Sequence, residues 1–473
     1  MLTYRLDEKN KYYSLYRAIR RDIACGNLRS GEKLPGKRSL ASHLGISVIT
    51  VQTAYEQLLA EGYLTSAERK GYFVADSADW GGVNGEGGFI NVGATGESAD
   101  GGNGAESAGN GDGAGNYLID LSSGRAPAKL FPFSVWAKLM RNTLSEEGEH
   151  LLERVPCDGD PALKRAIAAY LYRFRGYEVD PRYIVIGAGA EYLYGVIVQL
   201  LGREGVYAVE NPVYGRVPHA YALNGATCVP VSVDERGVRL DEVERSGARL
   251  LHISPSHQYP TGAVTPAVNR LKILAWAERT GAFVVEDDYD SEFRLFGKPL
   301  QTMAGLNGER VIYLNTFSKT LAPSMRMGYM VLPPQLYRKY RSLYGHSANV
   351  VPLFEQKALA KMLDGGYFER HVGRLKNYYR GVREMLLKKI DELPVQKEVI
   401  ETGGGLHITL RLPSFESDGE IKNFARERGI KLMCVSDYLF APSAEYDRIA
   451  VINYSSVDTD RVDINKIFGA REG

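Results

Sequence analysis

The stretch Thr316-Phe317-Ser318-Lys319, taken with Glu286-Asp287-Asp288-Tyr289-Asp290 upstream, decides what kind of large domain this chain builds. Lys319 follows Asp287 by 32 positions and precedes Arg326 by seven. A hydroxyl-rich turn that ends in lysine, with a guanidinium close behind, suits an aldehyde cofactor that also carries a phosphate. The amine forms a Schiff base, and the hydroxyls and guanidinium neutralise the phosphate. Asp287 ends the apolar run Phe283-Val284-Val285, where its carboxylate can hold a pyridinium nitrogen in the charged form. That pairing turns the ring into an electron sink, so the residues predict pyridoxal phosphate.

Outward from this stretch, short apolar segments alternate with helical ones. Tyr183 to Ile186, Gly205 to Val209, Ala248 to His252, Phe283 to Glu286 and Val311 to Leu314 read as strands. Glu191 to Leu201 and Val268 to Thr280 carry helical spacing between them. This order predicts a largely parallel α/β sheet. The last hundred residues mix helices (Tyr367 to Glu392, Asp418 to Arg428) with strands (Leu406 to Leu410, Arg448 to Tyr454), which predicts a smaller α+β lobe.

Three segments are expected. With 473 residues the chain exceeds one hydrophobic core. Residues 76–116 contain 14 glycines among 41 positions and cannot bury a core, so they read as a flexible linker. As a coil that linker spans roughly 35 Å, enough to reach a neighbouring subunit. Residues 1–75 hold 12 Lys/Arg against 7 Asp/Glu, a balance of +5; the rest hold 46 against 50, a balance of −4. A small basic module on a mildly acidic body points to a polyanionic partner.

Within that module, Tyr12 to Ala24 has helical apolar spacing, and Lys37 to Leu44 reads as a second helix. Gly45-Ile46-Ser47 makes a turn, and Val48 to Glu61 a third helix capped by Ser47. Tyr63-Leu64-Thr65 and Tyr72-Phe73-Val74 form a wing around Arg69-Lys70-Gly71. Helix, turn, helix and basic wing make a groove-reading architecture.

The four cysteines (Cys25, Cys157, Cys228, Cys434) show neither metal spacing nor a paired pattern, so no metal is expected. Met1 to Asn10 lacks the apolar core of a signal peptide. No segment approaches a membrane span, and a cytoplasmic protein is expected.

Two resemblances sharpen these readings. Leu34-Pro35-Gly36-Lys37-Arg38-Ser39-Leu40-Ala41, Leu44-Gly45-Ile46-Ser47, Thr50-Val51, Ala54-Tyr55-Glu56-Gln57-Leu58 and Glu61-Gly62-Tyr63 resemble the winged helix of GntR-family regulators. By position, that resemblance implies that Lys37, Arg38, Ser47, Thr50 and Gln52 face double-stranded operator DNA, with Arg69 and Lys70 on the wing. Val48 stands where the family commonly has a basic residue, so base preference does not transfer.

Residues 117–473 resemble fold-type I aminotransferases, and more closely the aminotransferase-like domain of MocR/GabR-type regulators. The resemblance rests on Gly124-Arg125-Ala126-Pro127, Gly159-Asp160-Pro161, Asn211-Pro212-Val213-Tyr214, Pro255-Ser256-His257-Gln258-Tyr259-Pro260-Thr261-Gly262 and the lysine segment. It implies that Lys319 carries the Schiff base, Asp287 binds the ring nitrogen, Tyr289 donates to the phenolate oxygen and Tyr214 stacks on the ring. The phosphate falls to the turn at Gly189, Ala190 and Glu191, which opens a helix, and to Thr316, Ser318 and Arg326. His257 is expected to scaffold its loop.

Arg216 matches the effector arginine of such regulators. Val451-Ile452-Asn453-Tyr454-Ser455 stands where aminotransferases carry a carboxylate-binding arginine, and Tyr259 replaces their asparagine. Asp437 occupies the region of a second effector arginine and is expected to repel a carboxylate, so γ-aminobutyrate is not assumed as the effector. These departures favour a pyridoxal-phosphate-dependent regulator that senses an amino compound, or the cofactor itself, over an aminotransferase with a fused autoregulatory module. The resemblance further implies a homodimer, arranged head to tail.

Overall fold

The computed structural model describes residues 4, 11–24, 27–67, 71–75, 117–122, 124, 126–295, 300–393, 395–400 and 405–458. Arg69 and Lys70, the 76–116 tract and Arg125 lie outside the described residues. The chain divides into two compact units, and Pro266–Lys272 is grouped with the N-terminal residues.

The N-terminal unit contains α1 (Lys11–Ala24), α2 (Lys37–Leu44) and α3 (Val48–Ala60), then strands β1 (Leu64–Ala67) and β2 (Gly71–Val74). Gly45 ends α2 with φ of 63°, a left-handed conformation that costs glycine little and turns the chain toward α3. Ser47 starts α3 by accepting a hydrogen bond from the Thr50 amide at 3.1 Å. Leu15, Ile19, Leu40, Val51, Ala54, Tyr55 and Leu58 form the core between the helices. β1 and β2 pair antiparallel with Leu64 opposite Val74.

The second unit begins with β3 (Ile119–Asp120), α4 (Phe133–Glu147) and α5 (Pro161–Arg175). Its main sheet contains β4 (Ile184–Gly187), β5 (Val206–Asn211), β6 (Thr227–Asp234), β7 (Gly237–Val238), β8 (Leu250–Ile253), β9 (Phe283–Asp287), β10 (Val311–Thr316) and β11 (Gly328–Val331). Their order across the sheet is β4-β11-β10-β9-β8-β5-β6-β7. The run from β10 to β6 is parallel, whereas β11 is antiparallel to both β10 and β4. β4, β8 and β9 are buried along their whole length, which accounts for the apolar runs Ile184-Val185-Ile186, Leu250-Leu251 and Phe283-Val284-Val285.

This topology places the site. The carboxyl ends of β5, β8, β9 and β10 share one edge, and β4, antiparallel to an antiparallel neighbour, ends there too. Open α/β sheets bind ligands outside that edge. A smaller lobe carries β12 (Glu398–Ile400), β13 (His407–Arg411), β14 (Ile430–Lys431), β15 (Met433–Cys434) and β16 (Ile449–Asn453); β14 pairs with β3, and the others form the antiparallel sheet β12-β13-β16-β15.

The parallel sheet and the C-terminal lobe match the sequence reading. β6 is a strand that patterning alone does not reveal, because Pro230 interrupts it and its outer half is only partly buried.

Candidate functional site

Lys319 lies just past β10, in a turn whose Phe317 amide donates to the Met327 carbonyl at 3.0 Å. Its Nζ donates to the Gly124 carbonyl at 3.3 Å. Burial pushes the Lys319 amine below the usual lysine range, and Asp290 opposes that shift. A lysine held toward its neutral form is a nucleophile. A Cβ on Gly124 would collide with this amine, so the glycine is what lets the backbone come so close.

The residues expected to take the phosphate lie together at one sheet edge. After β4, Gly189 takes φ of 89° and opens α6 (Ala190–Leu201), whose first turn carries Glu191. Arg326 crosses to this turn, its Nη2 donating to the Ala188 carbonyl at 3.3 Å and lying 3.7 Å from Glu191. A Cβ on Gly189 would lie 3.2 Å from Arg326 Nη2. Arg326 itself has φ of 42°, which a non-glycine residue adopts only at a cost of about 1–2 kcal/mol. Thr316 and Ser318 flank the same edge, both half-buried. Helix amides, a glycine cradle and a guanidinium together fit a phosphate.

The ring side is drier. Asp287 Oδ2 accepts from Tyr194 at 2.5 Å and lies 3.3 Å from His252 Nε2, whose Nδ1 is 2.8 Å from the Tyr221 hydroxyl. Burial, then Asp287, pushes the Tyr194 phenol well above its ordinary range, so it stays a donor. Tyr289 is half-buried, with its hydroxyl 3.1 Å from His257 Nδ1, and that same nitrogen is 2.8 Å from Asp290. His257 therefore ties Tyr289 to Asp290 as well as bracing its loop. Asp288 is structural: it takes Arg175 at 3.1 Å, Tyr313 at 2.7 Å and Ser291 at 2.8 Å.

The open face is walled by tyrosines. Tyr214 is 47% exposed and meets Tyr259 edge-on at 6.0 Å. The Tyr259 hydroxyl donates to Tyr438 at 2.9 Å and accepts from Asn453 Nδ2 at 3.3 Å. His407 lies 5.0 Å from the Tyr259 ring, and burial holds it well below the usual histidine range, hence neutral. Arg216 opens α7 (Arg216–Leu223) and reaches Glu191 at 3.1 Å, with both side chains nearly half exposed.

Asp437 corrects the expectation placed on it. Its carboxylate pairs with Lys422 and accepts from the Cys434 amide at 2.8 Å, which caps the short helix Val435–Tyr438. Its charge is neutralised locally, so it cannot serve as the repelling group. Tyr438, the next residue, faces Tyr259 instead.

In the N-terminal unit, Lys37 and Arg38 begin α2, with Lys37 Nζ 5.9 Å from the Tyr72 ring centroid. Ser47 Oγ and Thr50 Oγ1 are 2.8 Å apart, and Gln52 Nε2 donates to Glu56 at 2.7 Å. Ser47, Thr50 and Gln52 thus occupy the leading turns of α3, each also holding a neighbour.

The bacterial regulatory proteins of the gntR family match residues 11–74, and aminotransferase class I and II matches residues 117–418. The probable rhizopine catabolism regulatory protein MocR of Rhizobium meliloti is 32% identical over 96% of this chain and 92% of its own. The pyridoxine biosynthesis transcriptional regulator PdxR of Corynebacterium glutamicum is 31% identical over 93% of this chain and 91% of its own. The chain belongs to these GntR-type transcription regulators with an aminotransferase-like domain.

In this regulator the second unit has the aminotransferase fold. Kynurenine aminotransferase from Pyrococcus horikoshii superposes with a TM-score of 0.65 at 23% identity, covering 75% of the regulator and 89% of its own chain. The α-aminoadipate aminotransferase LysN of Thermus thermophilus gives 0.64 at 25% identity, over 75% and 91%. Aminotransferase class membership implies pyridoxal phosphate use. No helix among the regulator's described residues is long and apolar enough to cross a membrane.

Sequence reasoning missed Gly124, Tyr194, His252, Tyr438 and Asn453 as site residues. Two left a signal: Gly124, which opens the motif Gly124-Arg125-Ala126-Pro127, and His252, a lone polar residue inside the buried run Leu250-Leu251-His252-Ile253.

Proposed function

We propose that this regulator binds promoter DNA through its winged helix and holds pyridoxal phosphate on Lys319, where an amino compound is sensed. The observation that carries this reading is the convergence of Lys319, Asp287, Tyr289 and the Gly189–Arg326 cradle on one sheet edge. When bound, pyridoxal phosphate supplies an electrophilic carbon for a primary amine and a ring that withdraws electrons. Asp287, oriented by Tyr194 and His252, would hold the ring nitrogen. Tyr289 would donate to the ring's oxygen, Tyr214 would cover its face, and the α6 amides, Thr316, Ser318 and Arg326 would take the phosphate.

Sensing is favoured over turnover by the wall opposite Arg216. Tyr259, Tyr438, Asn453 and neutral His407 stand there, and none can form a second arm of an arginine fork. Arg216, whose ion-pair partner among the described residues is the half-exposed Glu191 and which lies 6.0 Å from the Tyr214 ring, can exchange that carboxylate for one acidic group on the effector. The effector acts by binding two states of the protein unequally. A head-to-tail homodimer with paired half-sites, working in the cytoplasm, completes the proposal.

The test is a screen of amines and amino acids against cofactor-loaded protein. Visible absorbance and operator affinity are read together with product formation from a keto acid. An effector should change colour and DNA affinity with little product. Rapid turnover without a change in DNA affinity would replace this reading with that of an enzyme.

A further inference from the structure

The first turn of α3 shows an apolar pair to solvent. Ile49 is 76% exposed and Val48 40% exposed, while Val51, Ala54, Tyr55 and Leu58 on the other side of the helix are buried in the core. Core packing explains the second group and not the first. A lone exposed aliphatic residue needs no explanation. Here, however, two are adjacent, and both stand at the start of the helix that a winged helix-turn-helix lays into the major groove.

The polar side chains around them are committed to the helix itself. Ser47 Oγ accepts the Thr50 amide at 3.1 Å and lies 2.8 Å from Thr50 Oγ1. Thr53 Oγ1 donates to the Ile49 carbonyl at 2.8 Å, and Gln52 donates to Glu56 at 2.7 Å. The leading turn therefore presents mainly hydrocarbon to the bases. No arginine or lysine stands at Val48 or Ile49 to pair with guanine O6 and N7. On the floor of the major groove the hydrocarbon group that a base pair offers is the C5-methyl of thymine.

We infer that Ile49, backed by Val48, reads thymine methyl groups, so that each half-site carries thymine under the amino end of α3. The inference rests on the DNA-binding reading above and adds its base specificity. Lys37 and Arg38 at the start of α2, on a module with a balance of +5, supply the phosphate contacts that press the helix into the groove.

The test uses full-length, cofactor-loaded protein to select duplexes from a random library. The selected half-site is then rebuilt with single thymines replaced by uracil, which deletes only the methyl group. Binding is read by fluorescence anisotropy. At one or two positions uracil should lower wild-type affinity roughly fourfold, the factor expected for one buried methyl. Ile49→Ala should unfold at the wild-type temperature, because the side chain is exposed, and should bind thymine and uracil versions alike. If the wild type binds its selected site specifically yet ignores every thymine-to-uracil change, this inference falls while DNA recognition stands. An equal uracil penalty in wild type and Ile49→Ala overturns it too, because the methyl is then read by another residue. If no sequence is preferred at all, the DNA-binding reading falls with it.

Discussion

The two ends of the proposed cofactor site are built on opposite principles. At the ring end, Asp287 and His252 have side chains only 9% and 2% exposed, within a network of buried hydrogen bonds. At the phosphate end, Arg326 and Glu191 are 54% and 43% exposed, and the cradle comes from a local glycine turn and helix amides. Low dielectric makes each buried group strong when partnered and costly when orphaned. Solvated charges are weaker and more forgiving. The ring end should therefore govern whether the cofactor is held in one chemical state, and the phosphate end how tightly it docks.

Four measurements can break or sharpen that contrast. Lys319→Ala, which removes the amine itself, should abolish the visible band of the loaded, desalted protein; an unchanged spectrum would refute the cofactor assignment. Next comes Asp287→Ala, which strips Tyr194 of its acceptor and removes the carboxylate 3.3 Å from His252 Nε2. Cofactor retention, followed by dialysis, should fall by about 10²–10³-fold, the equivalent of breaking a buried pair. Arg326→Ala should weaken retention only about tenfold, as fits a half-exposed charge-assisted contact, and added salt should narrow the gap to wild type. If Arg326→Ala proved the more damaging of the two, the contrast between the ends would be wrong.

The smallest effect concerns Glu210, buried at the end of β5 beside the Ser254 amide (3.2 Å), Gln258 and, more distantly, Asp287. Burial pushes its carboxyl up to about 8. A raised value in the folded state means that its contribution to stability is complete below the ordinary carboxyl range. It declines as pH rises and is gone once pH passes about 8. Glu210→Gln should flatten that decline, with thermal melts at acidic and alkaline pH as the check. Parallel curves for variant and wild type would show that Glu210 is not the group responsible.

How much was legible follows the same division. The strand Phe283–Asp287 was readable because burial on both faces demands an apolar run, here Phe283-Val284-Val285. The Gly189 turn and the Ser47 cap were readable because their chemistry is local. Tyr194 and His252 were not, since they reach Asp287 from α6 and β8, and no local rule couples positions 93 and 35 residues away. Asp437 was misjudged for the same reason: its partner Lys422 stands on another helix, so its charge could not be balanced from neighbours in sequence. Ile49 and Gln52 show the reverse case, in which helical spacing places both residues on α3 but only the folded surface shows which one is free.

The amino-acid sequence alone determined the two kinds of unit and the helix-turn-helix of the small one, and it singled out the lysine, aspartate and arginine proposed for the site of the large one. Spacing, capping and hydrophobic period act over a few residues and survive without knowledge of the fold. Tertiary structure decided which hydroxyls support Asp287, that Asp437 is neutralised, and that hydrocarbon leads the recognition helix. Those outcomes depend on burial and on partners from distant elements, and both exist only once the sheet has closed around them.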